Sequence, residues 1–240
     1  MTRVAIIAAL PGELKPLVRG WMHGSRNGVQ FWARRDSEEE WIAACAGVGQ
    51  AAATRAFAAI EDGGPIDLVF SIGWAGALTN SLAAGTAHSV AGVIDVRTGE
   101  RFHCDAGAGD RWVVTSPIVA NEDEKLRLAA AYRADLVDME AAAIARLTLM
   151  REIPFYCVKG VSDGLEERLP DLNRFILEDG SFDLAGMMIF SVLRPWYWPA
   201  LMRMGENSKR AAEQIAESVL NILNGEGSSR KVNGNPDLKH

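Results

Sequence analysis

Apolar runs and segments of helical periodicity alternate along most of the chain. Continuous apolar runs, typical of strands that are covered on both faces, lie at residues 4–10, 67–72, 88–96, 112–115 and 154–161. Segments with helical composition or spacing lie at residues 50–60, 121–132, 141–150, 183–193 and 208–223. This alternation predicts an α/β fold, with helices on both faces of a central, mainly parallel sheet.

Two further strands are predicted at residues 30–34 and 41–45, joined by a charged turn. We expect them to pair antiparallel, which makes the predicted sheet mixed. With 240 residues, 48% of them hydrophobic, the chain is long enough to form one large domain. We predict a single domain at residues 1–224, followed by a flexible, polar tail at residues 225–240.

Composition narrows the possible partners. The net charge is −6 and no basic cluster is present, which argues against nucleic acid as a partner. The three cysteines lack metal-binding spacing and predict reduced thiols of a cytoplasmic protein. We predict that the protein uses neither a metal nor an organic cofactor. No export signal is visible, and the apolar stretch at residues 184–202 is interrupted by Arg194 and two prolines, so no transmembrane segment is predicted.

Acidic residues follow two of the predicted strands at the point where each strand ends. Asp138, Met139 and Glu140 stand where a short apolar strand gives way to a helix, and Ser162 and Asp163 close the strand that ends near residue 161. In open α/β sheets, ligands bind outside the carboxyl ends of the strands. Glu140 alone is also explained as an acid that compensates the helix dipole, but two matching strand ends favour a ligand site.

Other strand ends carry small residues, an acid and a tryptophan. Glu13 follows a Pro-Gly turn after the first strand, and its alternative explanation is an acid at a helix start. A Gly-Val-Gly turn at residues 47–49 lets the backbone approach a ligand closely or simply forms a tight turn. Trp74, with Ala75 and Gly76, forms either the wall of an apolar pocket or part of the core.

Taken together, five motifs occur in the order found in the nucleoside phosphorylase superfamily. The chain most resembles its nucleosidase branch, the methylthioadenosine/S-adenosylhomocysteine nucleosidases. The motifs are IAALPGE at 7–13, GVG at 47–49, SIGWAG at 71–76, VDMEA at 137–141 and VSD at 161–163. The resemblance implies a three-layer sandwich around the mixed sheet and an enzyme that cleaves the N-glycosidic bond of a purine nucleoside.

The resemblance also assigns roles at the base and the sugar. Cleavage builds positive charge on the sugar and negative charge on the leaving base, so the enzyme must protonate the base and hold the sugar. Asp163 matches the aspartate that protonates purine N7, oriented by Ser162, and burial is expected to keep its carboxyl protonated. Glu140 matches the residue that binds the ribose hydroxyls, next to Asp138, and Met139 matches the apolar surface beneath the sugar.

The nucleophile is predicted to be water. Glu13 falls where the nucleosidases have their water-activating glutamate, and the Gly-Asp-Pro-x-Arg phosphate loop of many phosphorylases is absent there. The rival hypothesis is phosphorolysis, with Lys159 and one of three arginines (Arg34, Arg35 or Arg97) binding phosphate. A third hypothesis is a nucleoside-binding relative that has lost catalysis.

Departures from the nucleosidases bear on these hypotheses. Trp74 stands where they usually have serine, and Lys159 stands where they have arginine, which loses the bidentate fork. The chain between residues 85 and 136 is shorter than in those enzymes. Val119 therefore falls near the position of the aromatic that stacks on the base, and we expect backbone groups around Ala120 to read adenine. Trp74, Ala75 and Gly76 are predicted to contact the substrate.

The shortened middle segment and the late Arg-Pro and Pro-Ala-Leu sequences also resemble the hopanoid-associated branch of the superfamily. That resemblance implies adenine release from an adenosyl-lipid. It would make residues 187–202 an apolar lid or a lipid-facing patch in peripheral contact with a membrane. The alternative for this segment is a buried helix or a subunit interface. A homodimer is predicted, and the 5′ substituent of the nucleoside stays open.

Overall fold

The computed structural model describes residues 1–105, 109–167 and 169–233. The strands are β1 (Thr2–Ala8), β2 (Met22–Arg26), β3 (Val29–Arg35), β4 (Glu39–Cys45), β5 (Leu68–Ala77), β6 (Ala87–Ser89), β7 (Gly92–Asp95), β8 (Arg101–His103), β9 (Trp112–Thr115), β10 (Leu136–Asp138) and β11 (Phe155–Asp163). The α-helices are α1 (Pro11–Leu14), α2 (Gln50–Glu61), α3 (Glu122–Tyr132), α4 (Ala141–Arg151), α5 (Leu184–Val192) and α6 (Trp198–Asn233). Short 3₁₀ turns lie at Leu172–Phe175 and Pro195–Tyr197.

These strands form one mixed sheet in the order β2-β3-β4-β1-β5-β10-β9-β7-β8, with β11 paired to β5 and β6. Strands β1, β4, β5 and β11 run parallel to their neighbours in this group, as do β7, β9 and β10. Antiparallel pairing occurs between β5 and β10 and in pairs that involve β2, β3, β6 and β8. The predicted α/β class with a mixed sheet is confirmed.

Helices cover both faces of the sheet and complete a three-layer arrangement. On one face, Phe57 of α2 and Ile144 of α4 pack into a core cluster that includes the apolar side of β5. On the other face, Ile215 and Val219 of α6 pack with Ile6 of β1. The apolar strand runs are thus buried on both sides, as their lack of alternation predicts.

The topology brings several strand ends together around Gly76. This residue pairs with Val137 of β10 on one side and with Asp163 of β11 on the other. The chain segment after β1 meets the same region, because the backbone N–H of Trp74 donates to the Glu13 carboxylate at 2.8 Å. The acidic residues predicted from separate strand ends therefore lie at one edge of the sheet.

One strand prediction is wrong in its extent. Residues 88–96 were expected to form a single strand, but the chain forms β6 and β7 with a break at Val90 and Ala91. The break follows from a change of partner, since β6 pairs with β11 whereas β7 pairs with β8 and β9. Apolar content alone does not reveal such a change, because both short strands are buried or half-buried.

The last helix is longer than its predicted span of residues 208–223. It begins at Trp198, with Pro199 in its first turn, where a proline costs no intrahelical hydrogen bond. It continues past Gly225 to Asn233. The division into a domain at 1–224 and a tail at 225–240 stays a prediction, and residues 234–240 lie outside the described residues.

Helix α5 follows the predicted apolar segment closely. It spans Leu184–Val192 and ends before the Arg194-Pro195 sequence. Met188, Ile189 and Val192 are exposed, each by more than 60%. Within the described part of the chain, neither this helix nor any other combines the length and apolarity needed to span a bilayer.

Candidate active site

A cavity of about 300 Å³ lies where the strand ends meet, at the lower limit of the ~300–1,000 Å³ typical of small-molecule sites. Its walls are largely apolar, with acidic groups placed among them. Every predicted catalytic or substrate-binding residue except Lys159 lines this cavity, namely Glu13, Trp74, Ala75, Gly76, Val119, Ala120, Asp138, Met139, Glu140, Ser162 and Asp163. Residues separated by up to 150 positions in sequence thus surround one space.

Glu13 lies in α1 and is 4% exposed. Its Oε2 accepts hydrogen bonds from the backbone N–H groups of Ala9 and Leu10, both at 2.8 Å, and its Oε1 accepts one from Trp74 at 2.8 Å. Burial raises the pKa of Glu13 above its ordinary value, although the N–H donors and the positive charge of Lys159 oppose the rise. The carboxyl is therefore held in one orientation and is more basic than a surface glutamate.

Two glycines allow this close arrangement. Gly73 has φ = 148°, and a Cβ at this position would stand 2.8 Å from Glu13 Oε1. A Cβ at Gly12 would stand 2.9 Å from the Trp74 ring. Any larger residue at either position would displace the acid or the tryptophan.

Trp74 forms one wall of the cavity and connects it to α6. Its Nε1 donates to the Ser208 carbonyl oxygen at 2.8 Å, and Ser208 also lines the cavity. The long helix therefore holds the tryptophan in place next to Glu13. Its hydrogen bond explains how the indole stays half-buried with its donor satisfied.

Glu140 precedes α4 and points back to the Gly-Val-Gly turn. Its Oε1 accepts a hydrogen bond from the Gly49 N–H at 2.6 Å, and its Oε2 accepts a longer one from Met139 at 3.3 Å. Burial and the neighbouring negative charge of Asp138 raise the pKa of Glu140 to about 8. The glycine turn thus positions the acid that was predicted to bind the ribose.

Asp138, which lines the cavity, forms a buried ion pair with Lys159, which does not. The Lys159 ammonium lies 2.8 Å from Asp138 Oδ2, and the two side chains are 1% and 0% exposed. Asp138 also accepts hydrogen bonds from Thr115 Oγ1 at 2.7 Å and from the Ala141 N–H at 2.9 Å. Burial alone would lower the pKa of Lys159, but the negative charges of Asp138 and Glu140 outweigh it and raise this pKa.

This geometry corrects the prediction for Lys159. The residue is fully buried and does not line the cavity, so it does not serve as a substrate-binding or phosphate-binding cation. Its ammonium is neutralised by Asp138, and the carboxylate of Asp138 is in turn occupied by protein donors. Both side chains therefore support the end of β10 and the start of α4.

Asp163 has an ion-pair partner that the sequence did not indicate. Its Oδ1 accepts a hydrogen bond from Ser162 Oγ at 2.5 Å. Its Oδ2 accepts one from the ammonium of Lys125, which comes from α3 and lines the same cavity. The surroundings of Asp163 are therefore not purely apolar, because a buried lysine pairs with its carboxyl group.

The helical spacing of Lys125 could have predicted that it is buried. It lies three residues before Leu128, which is fully buried, and so shares the inward face of α3. A lone lysine on an inward helix face requires an acidic partner, and this rule would have marked it. The residues at the start of α3 carry a stronger pattern, because its first turn is acidic and Asn121 is its N-cap. The Asn121 Oδ1 accepts a hydrogen bond from the Glu124 N–H at 2.9 Å.

The backbone at Val119 and Ala120 lines the cavity near this acid. The Val119 N–H donates to Asn173 Oδ1 at 2.7 Å, and its carbonyl accepts from Asn173 Nδ2 at 3.0 Å. The peptide group of Val119 is therefore already satisfied by a carboxamide that the sequence did not single out. Among the described residues, no hydrogen-bond partner is found for the Ala120 N–H.

The arginines considered for phosphate do not reach the cavity. Arg34 stacks over Trp41 in the outer part of the sheet, Arg35 lies at the exposed end of β3, and Arg97 is exposed. Within the described residues, the cation that lines the cavity is Lys125, and it is paired with Asp163. Among the residues that the structure describes, no cluster of cations suited to phosphate lines the cavity beside Glu13.

Comparison with known proteins agrees with the fold and the motifs. A sequence model of the Phosphorylase superfamily matches residues 96–185. No curated protein matches the sequence significantly. Among solved structures, the 5′-methylthioadenosine/S-adenosylhomocysteine nucleosidase of Helicobacter pylori is similar, with a TM-score of 0.70 and 14% identity over 94% of this chain and 99% of that one.

Two further structures are equally similar. The futalosine hydrolase of H. pylori has a TM-score of 0.71 and 13% identity, with 94% of this chain and 100% of that chain covered. The 5′-methylthioadenosine nucleosidase of Arabidopsis thaliana has a TM-score of 0.71 and 17% identity, with 94% and 97% covered.

The chain thus has the α/β fold of these nucleosidases and hydrolases, with a cavity at the carboxyl ends of its strands. The predicted resemblance to the nucleoside phosphorylase superfamily is confirmed, both by the match at residues 96–185 and by the shared fold.

Proposed function

We propose that this protein hydrolyses the N-glycosidic bond of a purine nucleoside and releases the free base. The observation that carries this proposal is the convergence of Glu13, Glu140 and Asp163 on one largely apolar cavity. Cleavage needs a base for water, a negative group near the sugar and a proton source near the purine, and these three acids supply groups of the required kind.

At the sugar, Glu13 activates the attacking water. Three backbone N–H donors hold its carboxyl in place, and its raised pKa makes it a better proton acceptor. Glu140 binds the ribose hydroxyls above Met139. The positive charge that develops on the ribose favours the ionised form of Glu140. The interaction between Glu140 and the sugar is therefore stronger in the transition state than in the ground state.

At the base, Asp163 and Ser162 face the purine, and the Ala120 backbone recognises its edge. Adenine fits this proposal, since a backbone N–H and carbonyl pair matches its ring nitrogen and amino group. A 5′-substituted adenine nucleoside also fits the apolar part of the cavity, where Phe182, Met187 and Met204 contribute. The nucleoside is of the methylthioadenosine or S-adenosylhomocysteine type, or carries a lipid.

Water rather than phosphate is the nucleophile in this proposal. Phosphate needs cations around the attacked carbon, whereas the group that lies there is the Glu13 carboxylate. Lys125, the cation of the cavity, is engaged by Asp163. The Helicobacter and Arabidopsis relatives named above are hydrolases or nucleosidases, which supports the same conclusion. We further propose a cytoplasmic homodimer.

The proposal is tested with a panel of purine nucleosides that differ at the base and at the 5′ position. The panel contains adenosine, inosine, methylthioadenosine, S-adenosylhomocysteine and a lipid-linked adenosine, each assayed for free base by chromatography in phosphate-free buffer. We expect base release from at least one 5′-substituted adenine nucleoside, and no acceleration by added phosphate. Nucleoside binding measured by calorimetry without any base release would contradict the proposal and support an inactive binding protein.

A further inference from the structure

The buried lysine of α3 lies at the base end of the cavity in an arrangement that the assigned roles do not explain. Lys125 is 2% exposed, and its ammonium donates to Asp163 Oδ2 and to the Gly164 carbonyl oxygen, the latter at 2.5 Å. An ammonium has three protons to donate. Among the described residues, no acceptor is found for the third. A donor is thus available inside a site that would hold a purine.

The ion pair changes what Asp163 can do. The ammonium of Lys125 pairs with one carboxylate oxygen of Asp163, and Ser162 Oγ donates to the other. A carboxylate accepts protons and has none to give. The leaving purine nevertheless needs one proton, because its glycosidic electron pair leaves with it. The Lys125 ammonium contacts Asp163 and carries protons that it can give.

We propose that Lys125 supplies the proton that the leaving base takes up, and that Asp163 passes it on. This inference rests on the proposed nucleosidase function. As the C1′–N9 bond breaks, its electron pair stays on the purine. The Asp163 carboxylate receives a proton from Lys125 Nζ and transfers one to purine N7, so that Lys125 ends the step as a neutral amine.

The remaining steps account for the attacking water and return both residues to their starting protonation states. The water oxygen bonds to C1′, and its proton goes to the Glu13 carboxylate. Solvent then protonates Lys125 again, and Glu13 returns its proton to solvent. One turnover consumes one nucleoside and one water, and it yields the free base and the free sugar. Lys125 acts through Asp163 and is thus a positioning and proton-supplying residue rather than a group bonded to the substrate.

Two other roles for Lys125 make different predictions. A purely structural lysine would tie α3 to the end of β11 through Gly164, and its loss would slow cleavage of every substrate equally. A purely electrostatic lysine would stabilise negative charge at the base, and arginine would replace it because a guanidinium keeps the charge. Proton supply differs from both, since arginine does not give up its proton in proteins.

The test uses Lys125→Met and Lys125→Arg, with Arg127→Met as the matched control on the exposed face of the same helix. The rate constant kcat is measured for the best purine nucleoside and for 4-nitrophenyl riboside, whose leaving group needs no proton. For both Lys125 variants we expect a loss of about 10²–10⁴-fold on the purine nucleoside, the usual contribution of general acid catalysis. On the nitrophenyl substrate we expect a loss of a few-fold at most, and the control variant should match the wild type on both.

Three outcomes would overturn the inference. Equal losses on both substrates would assign Lys125 a structural role, and retention of wild-type kcat by Lys125→Arg would assign it charge alone. Retention of the wild-type kcat by Lys125→Met would show that Lys125 takes no part in the reaction. If the wild type cleaves no nitrophenyl riboside, the pH profile on the purine nucleoside decides: without Lys125 the proton has to come from solvent, so kcat of Lys125→Met should recover as the pH falls, whereas a structural loss would be the same at every pH. A wild-type protein that releases no base contradicts the proposed function, whereas an active Lys125→Met contradicts only this inference.

Discussion

Two aspartate–lysine pairs lie next to the same cavity, and they differ in what surrounds them. Asp138 and Lys159 are 0% and 1% exposed, and protein groups satisfy the carboxylate completely. Lys125 and Asp163 are 2% and 11% exposed, and both residues line the cavity. Asp138 also lines the cavity, but its partner Lys159 is sealed within the fold, whereas both partners of the second pair line the cavity.

This difference teaches that an ion pair's chemistry cannot be inferred from its residue types. The buried pair of Asp138 and Lys159 must stay charged and paired, because either partner alone would be an uncompensated buried charge. A pair that borders a cavity can exchange protons with a bound molecule. We therefore expect substitutions in the first pair to change stability and substitutions in the second to change catalysis.

The largest expected effect is on stability, in Lys159→Met. Removing the ammonium leaves the Asp138 carboxylate buried without its cation, which should lower the free energy of unfolding by about 3–5 kcal/mol. Urea unfolding followed by fluorescence measures this change, with Lys209→Met on the exposed side of α6 as the control. A Lys159→Met protein as stable as the wild type would show that the pair is not the structural element described above.

Glu13→Gln should have the next largest effect, this time on rate. Glutamine does not accept a proton from water, so we expect kcat to fall by about 10²–10⁴-fold. The free energy of unfolding should fall by only about 1–3 kcal/mol, because the new NH₂ group faces a backbone N–H that the carboxylate had satisfied. Kinetics and urea unfolding are compared with those of Glu38→Gln in an exposed turn. Undiminished kcat in Glu13→Gln would exclude this acid as the base.

Glu140→Gln should alter the dependence of stability on pH. The pKa of Glu140 is raised from 4.5 to about 8, so the unfolded chain loses this proton at lower pH than the folded protein. The contribution to stability is therefore complete below pH 4.5 and is lost as the pH rises through about 8. Glutamine does not ionise, so at pH 9 the free energy of unfolding of the variant should exceed that of the wild type by up to about 4–5 kcal/mol.

The same comparison at low pH serves as the control for Glu140. At pH 4 both proteins carry a neutral side chain, so their unfolding free energies should differ little. Urea unfolding at pH 4, 6, 8 and 9 gives the full profile. Parallel profiles for the two proteins would mean that Glu140 ionises normally in the fold.

The smallest expected effect concerns the wall of the cavity. Trp74→Phe removes the hydrogen bond from the indole to the Ser208 carbonyl and should cost about 0.5–1.5 kcal/mol of stability. Thermal unfolding measures it, with the exposed Trp196→Phe as the matched control. If both variants unfold at the wild-type temperature, Trp74 does not anchor α6 to the site.

Much of the fold followed from the sequence because its central strands are continuous apolar runs. Each acid that was predicted at a strand end lies at one edge of the sheet, since parallel strands finish together. The break between β6 and β7 was not predictable, because it depends on a change of partner strand. The start of α6 was missed because Pro199 was interpreted as a breaker, whereas it occupies the first turn of the helix.

The site was predictable in position but not in its electrostatics. Glu13, Glu140 and Asp163 could be identified from motifs, since each motif keeps its place at a strand end. The cations could not, because Lys125 approaches Asp163 from a helix 38 residues earlier and Lys159 turns inward to Asp138. Packing between elements that are distant in sequence decides whether a lysine is buried in the core or lines the cavity, and a local sequence pattern does not reveal that packing.

The identity of the sugar product tests the central claim most directly. The wild-type protein is incubated with its best purine nucleoside in phosphate buffer, and proton and phosphorus NMR follow the products. We predict free base and free sugar in a one-to-one ratio, with no phosphorus signal from a sugar phosphate. A stoichiometric sugar 1-phosphate would show that phosphate, and not water activated by Glu13, attacks the nucleoside.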